Sequence, residues 1–166
     1  MKNKGKSLTI VLTVIYIFIV VWIILFKMAT LSEIPYLGGI RNINLIPFHY
    51  DKEAPFHRSE IIKNVIIFIP LGVYLKMLKI KGVKAILFGM AFSVGLEVSQ
   101  FILAIGATDI TDIMTNTAGT AIGIGMYTFL HLIFQKSEKL DKALCILASI
   151  CTVLLISMIS LLLFSN

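Results

Sequence analysis

The chain has 166 residues, of which 58% are apolar and only 14% charged, and its 15 basic and 9 acidic side chains give a net charge of +6. A mean hydropathy of +0.94 leaves too much apolar surface for a water-soluble globule, which excludes a soluble enzyme, a disordered chain and a disulfide-stapled secreted domain. A basic excess on so apolar a chain belongs to loops beside anionic lipid, so the lipid bilayer is the expected partner and nucleic acid is not.

A bilayer core of about 30 Å takes about 20 apolar residues per helix, and five runs approach that length. The first, about residues 8–26, is interrupted only by Thr9 and Thr13. Lys2, Lys4 and Lys6 precede it as in a signal peptide, but the run is long enough to span and Met28-Ala29-Thr30 is a poor cleavage site, so it reads as a retained helix. Residues 28–63 follow as a long outer loop, punctuated by Pro35, Gly38, Gly39, Pro47 and Pro55. Within it Leu45-Ile46-Pro47-Phe48 is apolar enough to dip into the interface, with Tyr50 and Phe56 suited to headgroup level. Ser59 and Glu60 open the approach to the second span, about 64–78, which contains Pro70. That proline removes a backbone donor, frees the carbonyl of Ile66 and bends the helix. The third span, about 83–105, carries Glu97 and Gln100; the fourth, about 112–134, carries Asn116; the fifth, about 144–164, has nothing ionisable. Cys145 and Cys151 lie in that last run and read as small hydrophobes rather than a disulfide.

Counting basic residues by loop orients these spans. With the N-terminus inside, Lys2, Lys4, Lys6, Lys76, Lys79, Lys81, Lys84, Lys136, Lys139 and Lys142 are all cytoplasmic, ten of the 15 basic residues. The loop between spans three and four holds none, and shows Asp109 and Asp112 instead. The expectation is an all-α integral membrane protein of five transmembrane helices in one membrane domain, N-terminus inside and C-terminus outside.

A charged side chain near mid-span costs about 2.5 to 3.5 kcal/mol on insertion scales, so the polar residues need a reason. Glu97 falls about 12 Å below the outer end of its span at 1.5 Å per residue, with Gln100 one turn above and Ser93 and Gly89 extending the same face. On span four, Asp112, Asn116, Gly119 and Gly123 recur at four, three and four, with Asp109 a turn earlier. The short connection makes these spans antiparallel neighbours, and the glycines are expected to let their backbones approach. Asn64 stands at the same level on span two. Carboxylates and amides thus converge toward one outward-opening cavity, with His49, His57, Arg41 and Arg58 on the adjoining loop; His131 reads as an interface residue.

Four blocks in order resemble the VanZ-like family of small bacterial membrane proteins, over about residues 44–125: Asn44 to Phe48, Asn64 to Gly72 with Pro70, Ser93 to Gln100, and Asp109 to Asp112 with Asn116, Thr117 and Gly119. Many family members carry an arginine shortly before the first aspartate and a further aspartate between the two, where this chain has Gly106 and Thr111. The resemblance implies a multi-pass integral membrane protein of the bacterial cytoplasmic membrane and cell envelope, whose founding relative is associated with resistance to teicoplanin, a glycopeptide directed at lipid-linked cell-wall precursor. Together with the convergence read from spacing, these blocks make Asn44, Pro47, Asn64, Pro70, Glu97, Gln100, Asp109, Asp112 and Asn116 the expected ligand-binding or functional polar cluster.

Two functional classes stay open. In the favoured one no residue is catalytic and no cofactor is needed: the cluster binds a lipid-linked or glycopeptide-like ligand, its apolar walls, amides and aromatics serving a saccharide or a prenyl lipid. In the other, Glu97, Asp109 and Asp112 act as acid, base or Mg²⁺ ligands toward a polyprenyl-phosphate-type lipid, with His49 or His57 as base and Arg41 or Arg58 as phosphate clamp. A proton-coupled carrier using Glu97 is disfavoured by five spans without an internal repeat. No nucleophile elbow, zinc motif, phosphate loop or dinucleotide fingerprint is present to favour the enzyme.

Overall fold

The computed structural model describes residues 3–26, 38–48, 57–134 and 138–164. Five helices make up the framework: α1 (Asn3–Leu25), α2 (His57–Met77), α3 (Gly82–Leu103), α4 (Ile110–Ile133) and α5 (Glu138–Phe164). Three segments, Gly5–Leu25, Gly82–Leu103 and Glu138–Leu161, are long and apolar enough to cross a membrane. Large apolar side chains such as Phe18, Val83, Leu154 and Leu161 point outward, as expected where lipid and not water is the solvent. Helices α2 and α4 are equally long but more polar, α2 through Arg58, Glu60, Lys63 and Lys76 and α4 through Asp112, Asn116 and its threonines.

Two short strands, β1 (Ile40–Asn44) and β2 (Ile105–Asp109), depart from the loop and helix expected there. They pair in parallel, from Ile40 opposite Ile105 to Asn44 opposite Asp109, and a parallel pair needs a crossover, here α2 and α3. The third span consequently ends at Leu103, where Ala104 turns left-handed at φ 57° and its N–H reaches the carbonyls of Gln100 and Phe101. Helix α4 begins at Ile110, two residues earlier than read, because the Asp109 side chain caps it.

The contacts fix the helix directions. Gln100 of α3 donates to the carbonyl of Ile24, joining the C-terminal ends of α1 and α3. Thr9 meets Cys145 near the start of α1 and of α5, and Trp22 shares a groove with Ile156 and Ile159 farther along both. So α1, α3 and α5 run one way. Asn116 on Ser93 and Asp109 on Glu97 set α4 antiparallel to α3.

Helices α2 and α4 lie backbone to backbone. A methyl added at Gly119 would fall inside the carbonyl of Val65, one at Gly123 inside that of Ile69, and one at Gly72 inside that of Thr120. Both sequences advance together along this contact, so α2 and α4 are parallel. The glycines expected to open α4 toward α3 therefore open it toward α2; on the α3 side it is Gly89 that makes room, for Thr120. Phe68, Leu71, Tyr74 and Leu75 of α2 are buried at the centre.

The bundle thus has two unlike ends. The strand end gathers β1, β2, the C-termini of α1, α3 and α5 and the N-termini of α2 and α4. The lysine end carries Lys6, Lys76, Lys79, Lys81, Lys84, Lys139 and Lys142. At the lysine end Asp141 receives Tyr127 at 2.9 Å and lies 3.0 Å from Nε2 of His131, fastening α5 to α4.

Candidate functional site

Helical periodicity alone turns Ser93, Leu96, Glu97 and Gln100 of α3 inward, and all four are buried. Glu97 is 2% exposed, and its Oε2 accepts the backbone N–H of Asp109 at 2.9 Å. Thr108 donates to the Glu97 carbonyl at 3.2 Å. An inward carboxylate is thereby tied to β2 at the point where the chain re-enters α4.

Asp109 is the hub. Its Oδ1 accepts the N–H of Thr111 at 2.7 Å, closing the first turn of α4, and its Oδ2 accepts Nδ2 of Asn44 at 3.0 Å. Asn44 in turn accepts the N–H of Ile46 at 3.1 Å, folding the chain into a tight turn through Pro47, and the N–H of Phe48 reaches the Thr111 hydroxyl at 3.0 Å. Phe48 is left-handed at φ 55°, a conformation a non-glycine residue adopts only when its surroundings hold it there. One turn into α4, Asp112 accepts Nδ2 of Asn64 at 2.8 Å. A further turn in, Nδ2 of Asn116 donates to Ser93 at 2.9 Å.

The structure therefore brings Asn44, Asn64, Glu97, Gln100, Asp109, Asp112 and Asn116 to one end, joined across β1, α2, α3, β2 and α4. Each of the three earlier sequence blocks bonds to the one that begins at Asp109. Two expected members stand apart. Pro47 is exposed in the turn and shapes the chain rather than lining the cluster. Pro70 lies within α2, deeper in the bundle, and beside it the Tyr16 hydroxyl of α1 donates to the Ile67 carbonyl.

Arg41 is exposed on β1, its guanidinium 3.4 Å from the Ile102 carbonyl. His49, Tyr50 and Phe56 lie outside the described residues, and so do the side chains of His57 and Arg58. Among the described residues no three of His, Cys, Asp and Glu gather into a group that would hold a metal ion. Glu97, Asp109 and Asp112, read as candidate Mg²⁺ ligands, each turn an oxygen to an amide N–H.

Thr115 and Thr120 escaped the sequence reading, and Thr111 entered it only as a departure from the family pattern. Thr111, Thr115 and Thr120 are buried; Thr115 and Thr120 donate back to carbonyls one turn earlier, at Thr111 and Asn116. Their near-fourfold spacing along α4 was the available signal. Gly106, at the place of the family's arginine, packs against Gln100, whose Nε2 is 3.4 Å from where a Cβ would stand.

Comparison with known proteins adds two findings. A family model described as VanZ/LLP1 matches residues 13–135. Protein VanZ of Enterococcus faecium is 36% identical over 156 residues, covering 92% of each chain. No solved structure matches.

Proposed function

The chain belongs to the VanZ/LLP1 family, and we propose that it is a multi-pass protein of the bacterial cytoplasmic membrane that binds a lipid-linked or glycopeptide-like ligand at the strand end of its bundle. On this reading the N-terminus and the lysine end face the cytoplasm, by the positive-inside rule, and the strand end and C-terminus face outward. Binding there contributes to tolerance of teicoplanin, a glycopeptide whose target is met on that outer side.

One observation carries the proposal: a carboxylate is buried in an apolar bundle where a neutral amide would serve the fold as well. The Glu97 carboxylate accepts the Asp109 N–H, and a glutamine oxygen accepts the same bond. Keeping an acid there costs about 2.5 to 3.5 kcal/mol on insertion scales, which a purely structural tie would not require. Asp112 accepts from Asn64, and an asparagine there keeps an oxygen for that bond.

Glu97→Gln and Asp112→Asn therefore separate function from folding. In cells lacking the native copy, with membrane abundance matched, both variants are expected to lower the teicoplanin inhibitory concentration to that of cells without the protein. Full tolerance in both variants would make the cluster structural and end the proposal. Turnover of a fluorescent lipid-linked precursor by the purified protein, abolished by EDTA, would replace binding by catalysis.

A further inference from the structure

Strand β2 does not leave the bundle but turns back along α3. Gly106 faces Gln100, the Thr108 hydroxyl donates to the Glu97 carbonyl, and the Asp109 N–H donates to the Glu97 side chain. Each step along β2 therefore descends α3, and from Leu103 back to Glu97 the fall is about 9 Å at 1.5 Å per residue. Strand β1 runs parallel to β2, with Ile40 beside Ile105 and Asn44 beside Asp109, so it descends as well, and the turn at 45–48 lies at its deep end. The Phe48 N–H, bonded to Thr111 in the first turn of α4, fixes that depth.

At this depth the turn displays apolar side chains. Ile43, Leu45, Ile46 and Phe48 are each more than half exposed, and the neighbouring surface of α3 is exposed and apolar too, through Val98, Ile102 and Leu103. Arg41 and Ile43 share one face of β1, and Arg41 reaches the Ile102 carbonyl, so the two apolar surfaces are continuous. The backbone of the turn is bonded from within: Asn44 takes the N–H of Ile46, Thr111 takes that of Phe48, and Pro47 has none to place. Internal partners for backbone donors are what contact with hydrocarbon requires, and Phe48 holds a left-handed φ of 55° to keep its own.

We propose that residues 40–48 form a re-entrant segment whose turn enters the lipid at the strand end, with Leu45, Ile46 and Phe48 at the boundary between headgroups and acyl chains. The turn meets the same leaflet that the exposed face of α3 meets, and a depth of about 9 Å lies within the 5–10 Å that interfacial elements reach. Insertion fixes the height of the Asn44–Asp109 junction relative to the membrane surface. It does not depend on whether a ligand binds there.

Trp22→Phe removes the single tryptophan of the chain, and Phe48→Trp or Gly38→Trp then supplies one reporter at the deep or the shallow end of the segment. Gly38 is exposed, with nothing within 4 Å of an added Cβ. Each full-length variant is reconstituted in phosphatidylcholine vesicles, with or without phosphatidylcholine brominated high on its acyl chains, and iodide serves as the aqueous quencher. Brominated lipid is expected to lower emission from position 48 about twofold while iodide has little effect, and the order is expected to reverse at position 38. Iodide quenching position 48 as strongly as position 38 would put the turn in water. Protection of position 48 from both quenchers would cover it with protein, either another part of this chain or a second copy. Equal quenching of the two positions by brominated lipid would lay the segment flat on the surface. Each of these three results overturns the proposal. Leu45→Trp and Ile46→Trp in the same background, at side chains more exposed than Phe48, repeat the deep measurement where Phe48→Trp fails to fold.

Discussion

Asp109 concentrates more of the strand end than any other single residue. Its carboxylate caps α4 and anchors Asn44, and its backbone N–H engages Glu97. Replacing a capping Asp by Ala costs about 1 kcal/mol, and the lost Asn44 contact adds about as much again for a net hydrogen bond. Asp109→Ala is expected to lower the melting temperature of the purified protein measurably, and Asp109→Asn, which keeps one acceptor oxygen for the cap but loses the one that meets Asn44, to restore about half of the loss; equal melting of the three proteins would contradict the hub role. At this scale much was legible. Spacing alone put Glu97 with Gln100 and Asp112 with Asn116 on facing stripes, because helical period is written in consecutive residues. Partners were not legible: nothing local says that Thr111, where the family resemblance implies an acid, uses its hydroxyl to hold the N–H of Phe48.

At the scale of elements, the tightest contact is made by the two helices that composition ranks least membrane-like. Helices α2 and α4 touch backbone to backbone through Gly72, Gly119 and Gly123, where dispersion between closely packed chains substitutes for the hydrophobic effect that lipid cannot supply. Adding a methyl into a filled contact costs about 1 to 3 kcal/mol. Gly119→Ala is therefore expected to reduce melting temperature and membrane accumulation, while Gly125→Ala, which meets nothing within 4 Å, leaves both unchanged. Equal behaviour of the two variants would refute the α2 and α4 contact. The glycine stripe was readable from sequence, but not its partner, since a stripe gives direction around a helix and not the identity of the neighbour. The β1 and β2 pair was unreadable for a related reason: Asn44 and Asp109 are 65 residues apart, and each five-residue strand has little local signal among prolines and glycines.

For the whole molecule, few charges decide much. The described lysines of one end stand opposite the carboxylates and amides of the other, and Asp141 with Tyr127 and His131 closes the lysine end by fastening α5 to α4. That polarity, combined with the positive-inside rule, is the basis of the proposed orientation with the strand end outward. Ala107 on β2 is exposed at the strand end, and Ser137 stands between α4 and α5 in the sequence. The most direct test is membrane-impermeant maleimide labelling of intact cells, using Ala107→Cys and Ser137→Cys in a chain with Cys145 and Cys151 replaced by serine. Labelling at position 107 from outside, with position 137 labelled only after the membrane is permeabilised, is the expected result; labelling at 137 in intact cells with 107 protected would contradict it.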